Sequence, residues 1–367
     1  MRFFSVLLVV ALAALAEKCA IAGGSTDGAP RTLRPNLSRV IGGSALVGGV
    51  GVVGKKWYDG PVFAESVDLS GKVIVITGAN TGLGKESAIK LASLGKPEVV
   101  LLSRSESKGK AAVAEVIAKT GNPNVRFIQL DLSNLGSVKS AAREVMQTTN
   151  KIDILQLNAG VMAIPTRETT ADGFEKHLGI NHLGHFSFAA EVFPWLKKAQ
   201  GARVVTVSSS AHLLGKIDRD DLQLVNNYGP WPAYGNSKLA NILFARELNR
   251  RLVEQGNPTG VTSVCLHPGA CRTELGRYIF DPETAPKYLY PLFGVVAAPA
   301  FLLTKSAYMG SQTQTFLSAT TTLRPAAGGT FYDNSSPADT SSDAKDPELA
   351  KWLWNESERL IGRKFDV

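Results

Sequence analysis

Six apolar, largely β-branched runs recur along this chain, and a longer segment of helical periodicity follows most of them. They are KVIVITG (72–78), EVVLLSR (98–104), VRFIQLDL (125–132), DILQLNAG (153–160), ARVVTVSS (202–209) and VTSVCLHPG (261–269). Runs without polar alternation suit strands buried on both faces of a sheet. Helical stretches are expected at 84–95, 107–120, 134–148, from Asp172 to Lys198, at 232–255 and at 348–362, with GGTFYD (328–333) as a last strand. Such alternation predicts an α/β fold: a single doubly wound Rossmann-type domain with a mostly parallel sheet. Right-handed crossovers then leave a ligand crevice at the carboxyl ends of the strands, where functional residues are to be sought.

The N-terminus is a different material. Arg2 precedes the apolar run FFSVLLVVALAALA (3–16), which is short for a membrane span and suits the hydrophobic part of a signal peptide. Ala14-Leu15-Ala16 offers a small-x-small cleavage site. Residues 1–22 therefore read as a signal peptide or anchor, and 23–66 as a leader or linker. Within the linker, VIGGSALVGGVGVVG (40–54) is a Gly-rich apolar segment that reads equally as a weak anchor, part of a bipartite leader or a tether. The catalytic fold is placed at 67–367. Forty Lys and Arg against 32 Asp and Glu leave a formal +8, scattered without the basic block that a nucleic-acid arm would need. The three cysteines, Cys19, Cys265 and Cys271, make no disulfide framework, and no Cys/His cluster has zinc-ligand spacing.

The first run ends in TGANTGLG (77–84), with glycines at 78, 82 and 84. A turn between a buried strand and a helix needs residues without Cβ where backbone approaches a ligand, and the helix amides behind it suit a phosphate. The second run ends at Arg104, followed by Lys108 and Lys110, with no acid at its end. That pattern favours a ribose 2′-phosphate, hence NADP(H) over NAD(H). YGNSK (234–238) puts a phenol and an ammonium one helical turn apart on the same face.

TGANTGLG, LNAG (157–160), Asn181 in INHLGHF, Ser209 in VVTVSSS, YGNSK and HPGACRT (267–273) occur in the order found in short-chain dehydrogenase/reductases. The resemblance runs from about residue 67 to the C-terminus and is greatest to the retinol dehydrogenase and WW-domain oxidoreductase branch, without a WW module. It implies a catalytic set of Asn181, Ser209, Tyr234 and Lys238. It further implies cofactor contacts from Gly78, Asn80, Thr81, Gly82, Leu83, Gly84, Arg104, Asp131, Leu132, Asn158, Ala159, Gly160, Pro268, Gly269 and Thr273, besides Tyr234 and Lys238. In this reading Tyr234 exchanges a proton with a carbonyl oxygen, and Lys238 with an oxidised nicotinamide lowers its pKa. Ser209 binds the developing oxyanion, and Asn181 holds a water that links Lys238 to solvent. Ser208 and Ser210 are rivals that chemistry does not exclude; the resemblance picks Ser209.

Two features depart from the family pattern. Leu157 replaces a usual asparagine, and 24 residues separate Ser209 from Tyr234, including an insertion that resembles the retinol dehydrogenase branch. The apolar stretch from Tyr278 through Leu303 suits a lipophilic alcohol or carbonyl, a membrane-facing entrance or the contact of a homo-oligomer. The leader points to the secretory pathway and the endoplasmic reticulum, with a plastid route and a protochlorophyllide reductase-like activity as the alternative. A non-catalytic binding protein on the same fold is the rival of another class. Sequons at Asn334 and Asn355 offer a marker for a luminal domain.

Overall fold

The computed structural model describes Lys55 and residues 58–275, 304–323 and 325–367. The first five strands are β1 (Val73–Thr77), β2 (Glu98–Ser103), β3 (Val125–Gln129), β4 (Ile154–Leu157) and β5 (Arg203–Val207). They are followed by β6 (Thr262–His267), β7 (Phe331–Asp333) and β8 (Ser336–Pro337). They form one sheet in the order β3-β2-β1-β4-β5-β6-β7-β8, parallel except for the last pair. The order reverses beside β1, between β2 and β4, and this opens the crevice at the strands' carboxyl ends.

The strand residues partition by the two-residue period. Val75 faces one core, shared with Leu155 and Val204, whereas Ile74 and Ile76 face the other. The second core is closed by α1 (Gly82–Ala92) and α2 (Glu106–Thr120). The first is closed by α3 (Leu135–Thr148), α4 (Gly184–Lys197), α5 (Pro230–Glu254) and α8 (Pro347–Ile361). Two short helices between α5 and α8, α6 (Ala307–Gly310) and α7 (Gln312–Ala319), pack on α1. Asn134 caps α3 and Asp346 caps α8, while Thr81 ahead of α1 donates no side-chain cap. The first amides of α1 therefore face the crevice without a capping side chain.

Three local features differ from the sequence expectation. The helix expected from Asp172 starts later, because Thr169 and Glu175 form a bridge and the Asp172 carboxylate accepts from Leu135 N at 2.8 Å. It opens instead on a π-helical turn, Leu178–Leu183, that runs into α4. The strand expected at 328–333 pairs only from Phe331, since Gly329 sits at φ +76°. Beyond it Asn334 and Ser335, at φ +49° and +59°, form a two-residue hairpin to β8. Asn334 is thus a turn residue whose amide oxygen accepts from Lys305 Nζ. Ser357 of the second sequon is buried in α8. The two acceptor asparagines themselves are half-buried in the hairpin turn (Asn334) and exposed on α8 (Asn355).

Residues 58–66 pack on the sheet layer. Phe63 is buried and its amide donates to Gln312 Oε1 at 2.9 Å, Glu65 accepts from Thr320 Oγ1 at 2.7 Å, and the Tyr58 hydroxyl accepts from Ala270 N at 3.3 Å. Residues 1–54 and the whole apolar stretch at 278–303 lie outside the described residues. No helix among the described residues is long and apolar enough to cross a membrane.

Candidate active site

Pro230 at the start of α5 sets the entry of a long helix whose inward face carries Tyr234 and Lys238. The π-helical turn brings Asn181 against that face, and Ser209 follows the end of β5. Asn181, Lys238 and Tyr234 are 0%, 3% and 4% exposed, so each polar group must find its partner inside the protein. The Ser209 side chain stands close enough to the Tyr234 phenol to lower its pKa, while its Oγ also accepts from Ala211 N at 3.1 Å. Ser208 is committed elsewhere, donating to the Lys238 carbonyl at 2.7 Å, and Ser210 offers its amide to His267 Nδ1 at 3.1 Å. Among the three serines, the one that meets the phenol is Ser209.

Lys238 Nζ lies 5.7 Å from the centre of the Tyr234 ring and donates to Val207 O at 3.1 Å. Burial lowers its pKa to about 8. Burial pushes the Tyr234 phenol up to about 12, against the lowering effect of Ser209. In the protein alone burial is thus the largest influence on the phenol. The Asn181 amide is largely spent: Nδ2 donates to Val161 O at 3.0 Å and Ser237 Oγ at 2.9 Å, and Oδ1 accepts from Val161 N at 2.8 Å. A Cβ on Gly160 would stand 3.1 Å from Asn181 Oδ1 and 3.6 Å from Lys238 Nζ. Glycine there keeps the space between amide and ammonium clear.

The glycine turn is held from behind. Thr77 Oγ1 accepts from Asn158 N at 2.9 Å and Ala159 N at 3.1 Å, and Asn158 Nδ2 donates to Thr77 O at 2.9 Å. Gly78 and Gly82 have φ of +67° and +58°. A Cβ on Gly84 would come within 2.5 Å of Asn158 Nδ2 and 2.6 Å of Gly78 O. One on Gly82 would lie 3.3 Å from Thr273 Cγ2, so Thr273 closes over the turn. Asn80, Thr81 and Leu83 are half-buried along the same turn, with Gln314 Nε2 donating to Leu83 O at 3.1 Å.

Arg104 is exposed beside the β2 end, and Gln129 Nε2 donates to its carbonyl at 3.0 Å. Lys108 pairs with Glu274 at 3.4 Å and Lys110 with Glu106 at 2.6 Å, which leaves Arg104 the cation of the three without a carboxylate among the described residues. The Asp131 carboxylate accepts from Ser133 N at 2.9 Å and Ser133 Oγ at 2.6 Å, and buried Leu132 packs under Gly184. Gly269, at φ +87°, follows Pro268 and is covered by the Lys305 side chain. Cys271 Sγ lies against the Pro268 and Gly269 carbonyls at 3.4 Å. Burial holds both Cys265 and Cys271 up at about 12, so neither is a ready thiolate.

The short chain dehydrogenase family profile matches residues 72–284, more than half of the chain. The chain belongs to the short-chain dehydrogenase family. Over 312 residues it is 42% identical to retinol dehydrogenase 12 of Mus musculus, spanning 85% of this chain and 93% of that one. To retinol dehydrogenase 13 of Mus musculus it is 38% identical over 328 residues, 89% of this chain and 92% of the relative. A crystal structure of an uncharacterized Mycobacterium Paratuberculosis protein aligns with a TM-score of 0.66 and 32% identity, covering 84% of this chain and all 100% of that one. A Shigella flexneri short chain dehydrogenase complexed with NADP aligns at 0.54 and 21% identity, covering 74% and 100%, a likeness of fold.

This short-chain dehydrogenase also holds buried polar groups that sequence reasoning passed over. His185, one turn beyond Asn181, places Nδ1 3.0 Å from Asn181 O and Nε2 2.8 Å from Thr77 Oγ1. A carbonyl only accepts, so Nδ1 carries the proton and Nε2 accepts from the threonine. Burial lowers His185 to about 4, in keeping with a neutral ring. Thr77 thus joins the glycine turn to the Asn181 turn through one imidazole. The second His of INHLGHF was the available signal, but spacing alone does not distinguish such a bridge from a packed core histidine.

Proposed function

We propose that the chain is an NADP(H)-dependent oxidoreductase that interconverts a lipophilic alcohol and its carbonyl, in the manner of a retinol dehydrogenase. The observation that carries this reading is the buried Tyr234 phenol, with Ser209 beside it and buried Lys238 one turn later on the same helix. The residues present fit a dinucleotide. The first turn of α1 lacks a side-chain cap, glycines clear the approach to it, and exposed Arg104 at the β2 end has no carboxylate partner among the described residues. Gly78, Gly82 and the α1 amides would hold the phosphates, Arg104 the 2′-phosphate, and Asn158 to Gly160 with Pro268 to Thr273 the nicotinamide side. The bound cofactor would supply or accept a hydride at the carbonyl carbon.

The chain's own residues manage the proton and the oxyanion. In reduction, Tyr234 donates its proton to the carbonyl oxygen as negative charge develops there. Ser209 hydrogen-bonds the same oxygen, which lowers the cost of that charge. Lys238 in its ammonium form stabilises the phenolate left behind, and the gap over Gly160 gives room for a reprotonation path past Asn181. In oxidation the same groups act in reverse. The similarity to the two retinol dehydrogenases supports a lipophilic alcohol as substrate. We further assign the leader to entry into the secretory pathway and the folded catalytic unit to the residues from about 67 onward, with 58–66 docked on it. The test is a screen of lipophilic aldehydes with NADPH on the purified chain. NADPH oxidation is expected, with weaker use of NADH; a protein that binds NADPH but turns over no carbonyl would remove the assignment.

A further inference from the structure

The motif HLGINHLGHF contributes more than Asn181. His177, at the head of the π-helical turn, is fully buried beside Tyr234, with ring centres 6.2 Å apart in an edge-on arrangement. Its Nδ1 lies 2.8 Å from Glu175 Oε1, and the same oxygen accepts His177 N at 2.9 Å. Glu175 Oε2 accepts Leu178 N at 2.8 Å, and Glu175 N donates to Gln223 Oε1 at 3.0 Å. The buried carboxylate therefore caps the turn and orients the imidazole, with the proton on Nδ1. That leaves Nε2 as an acceptor, and it receives Ile164 N at 3.2 Å.

The other polar group of Ile164 is taken from the opposite side. Tyr228 Oη donates to Ile164 O at 2.6 Å, and the Tyr228 ring stacks on His177 at 6.5 Å. Both backbone groups of a fully buried residue are thus claimed by two aromatic side chains that pack on each other. Three residues upstream, the Asn181 amide claims both backbone groups of Val161. Between these two clamps lie half-buried Met162 and buried Ala163, the latter at φ +52°, a left-handed conformation that a non-glycine residue adopts only when its surroundings impose it. Segment 161–164 directly follows Asn158-Ala159-Gly160 and borders the Tyr234 cluster. It is a wall with fixed ends and a strained apolar crest.

We propose that His177, oriented by Glu175 and backed by Tyr228, is a positioning residue that fixes the wall 161–164 against Tyr234 and so sets the breadth of carbonyl substrate that reaches the phenol. This rests on the oxidoreductase reading above, and the two can fail separately. His177 donates no proton to substrate, since both its nitrogens are engaged within the protein. Its effect passes through the placement of Val161 and Met162.

The test compares Tyr228→Phe, which keeps the ring and removes the bond to Ile164 O, with His177→Phe and His177→Gln in the full chain. Amide hydrogen exchange without ligand reads the clamp itself. Exchange at Ile164 should accelerate at least about tenfold in His177→Phe, with partial protection restored by glutamine, whose side-chain oxygen can accept the amide. Turnover with NADPH reads the function. The ratio of kcat/KM for a slender straight-chain aldehyde over a branched one should shift by about fivefold in Tyr228→Phe, the worth of one lost hydrogen bond, and further in His177→Phe. NADPH affinity should stay within about twofold, because the clamp touches no residue of the glycine turn. Unchanged exchange at Ile164 overturns the clamp. Faster exchange with an unchanged substrate ratio overturns its role in selection. Should His177→Phe fail to fold, the half-buried Tyr228 variant still decides both points. If the parent chain reduces no aldehyde, the oxidoreductase reading falls, and the exchange arm alone judges the clamp.

Discussion

The glycine turn at 78–84 and the cluster around Tyr234 lie at the same sheet edge, yet they are built from opposite materials. The turn works by what is missing: no Cβ at Gly78, Gly82 or Gly84, no cap on α1, and backbone groups held from behind by Thr77 and Asn158. The cluster works by what is present, namely buried side chains whose charge or proton is made costly by burial. A site made of absences tolerates no added atom, whereas a site made of buried polar groups tolerates no removed one. Substitutions at the two should therefore fail in different ways.

The largest effect is expected from Tyr234→Phe. Removing the acid should cut turnover by about 10²–10⁴-fold, the usual worth of a positioned general acid, while NADPH binding stays intact by fluorescence titration. Retained turnover would show that the proton comes from elsewhere. Gly84→Ala should do the reverse. Its methyl would meet the Gly78 carbonyl and Asn158, at a cost of about 1–3 kcal/mol in stability by thermal denaturation. NADPH affinity should fall with it, with the rate at saturating cofactor little changed. A Gly84→Ala protein that lost rate but kept affinity would dissolve the contrast between the two regions.

A smaller effect tests the outer end of the turn. Arg104→Ala should lower NADPH affinity by about tenfold, within the range of one charge-assisted contact, and leave NADH affinity unchanged. Equal losses for both nucleotides would remove the 2′-phosphate role. The smallest effect is a matter of pH. With Tyr234 held up at about 12 and Lys238 lowered to about 8, the carbonyl-reduction rate should be flat below about 8 and decline above it as the ammonium is lost. Stability carries the opposite sign. The unfolded chain keeps the lysine proton up to the ordinary lysine value of 10.5, so between about 8 and that value it binds more protons than the folded one. The contribution of Lys238 to stability thus grows with pH in that window and should vanish from denaturation curves in Lys238→Met.

Much of this was legible in the sequence because it depends on local pattern. The apolar runs became β1 to β6 within three residues at either end, since a strand buried on both faces declares itself by composition alone. The Tyr234 and Lys238 spacing on α5 and the glycine turn were legible for the same reason. Less legible was whatever depends on a partner far along the chain. The start of the helix expected at Asp172 was misplaced because that carboxylate serves Leu135 N, 37 residues away. The sequence marks Asn334 as part of a sequon, and that it also turns the hairpin between β7 and β8 depends on a strand pairing the local pattern does not declare. The sequence reading tunes Tyr234 by Lys238 together with an oxidised nicotinamide, whereas burial, on which spacing carries no information, is the largest influence on the phenol in the protein alone.

The Thr77 hydroxyl has a consequence for how such a protein can change. It receives two amides from the segment just after β4 and also reaches the imidazole that holds the Asn181 turn. The two halves of the crevice are thus joined by one oxygen, although more than a hundred residues separate Thr77 from His185. A cofactor-binding half transplanted from a cousin would bring its own version of that joint. The graft would hold only if the residue meeting His185 still had a hydroxyl to offer, so these halves are inherited as a matched pair and not as interchangeable cassettes.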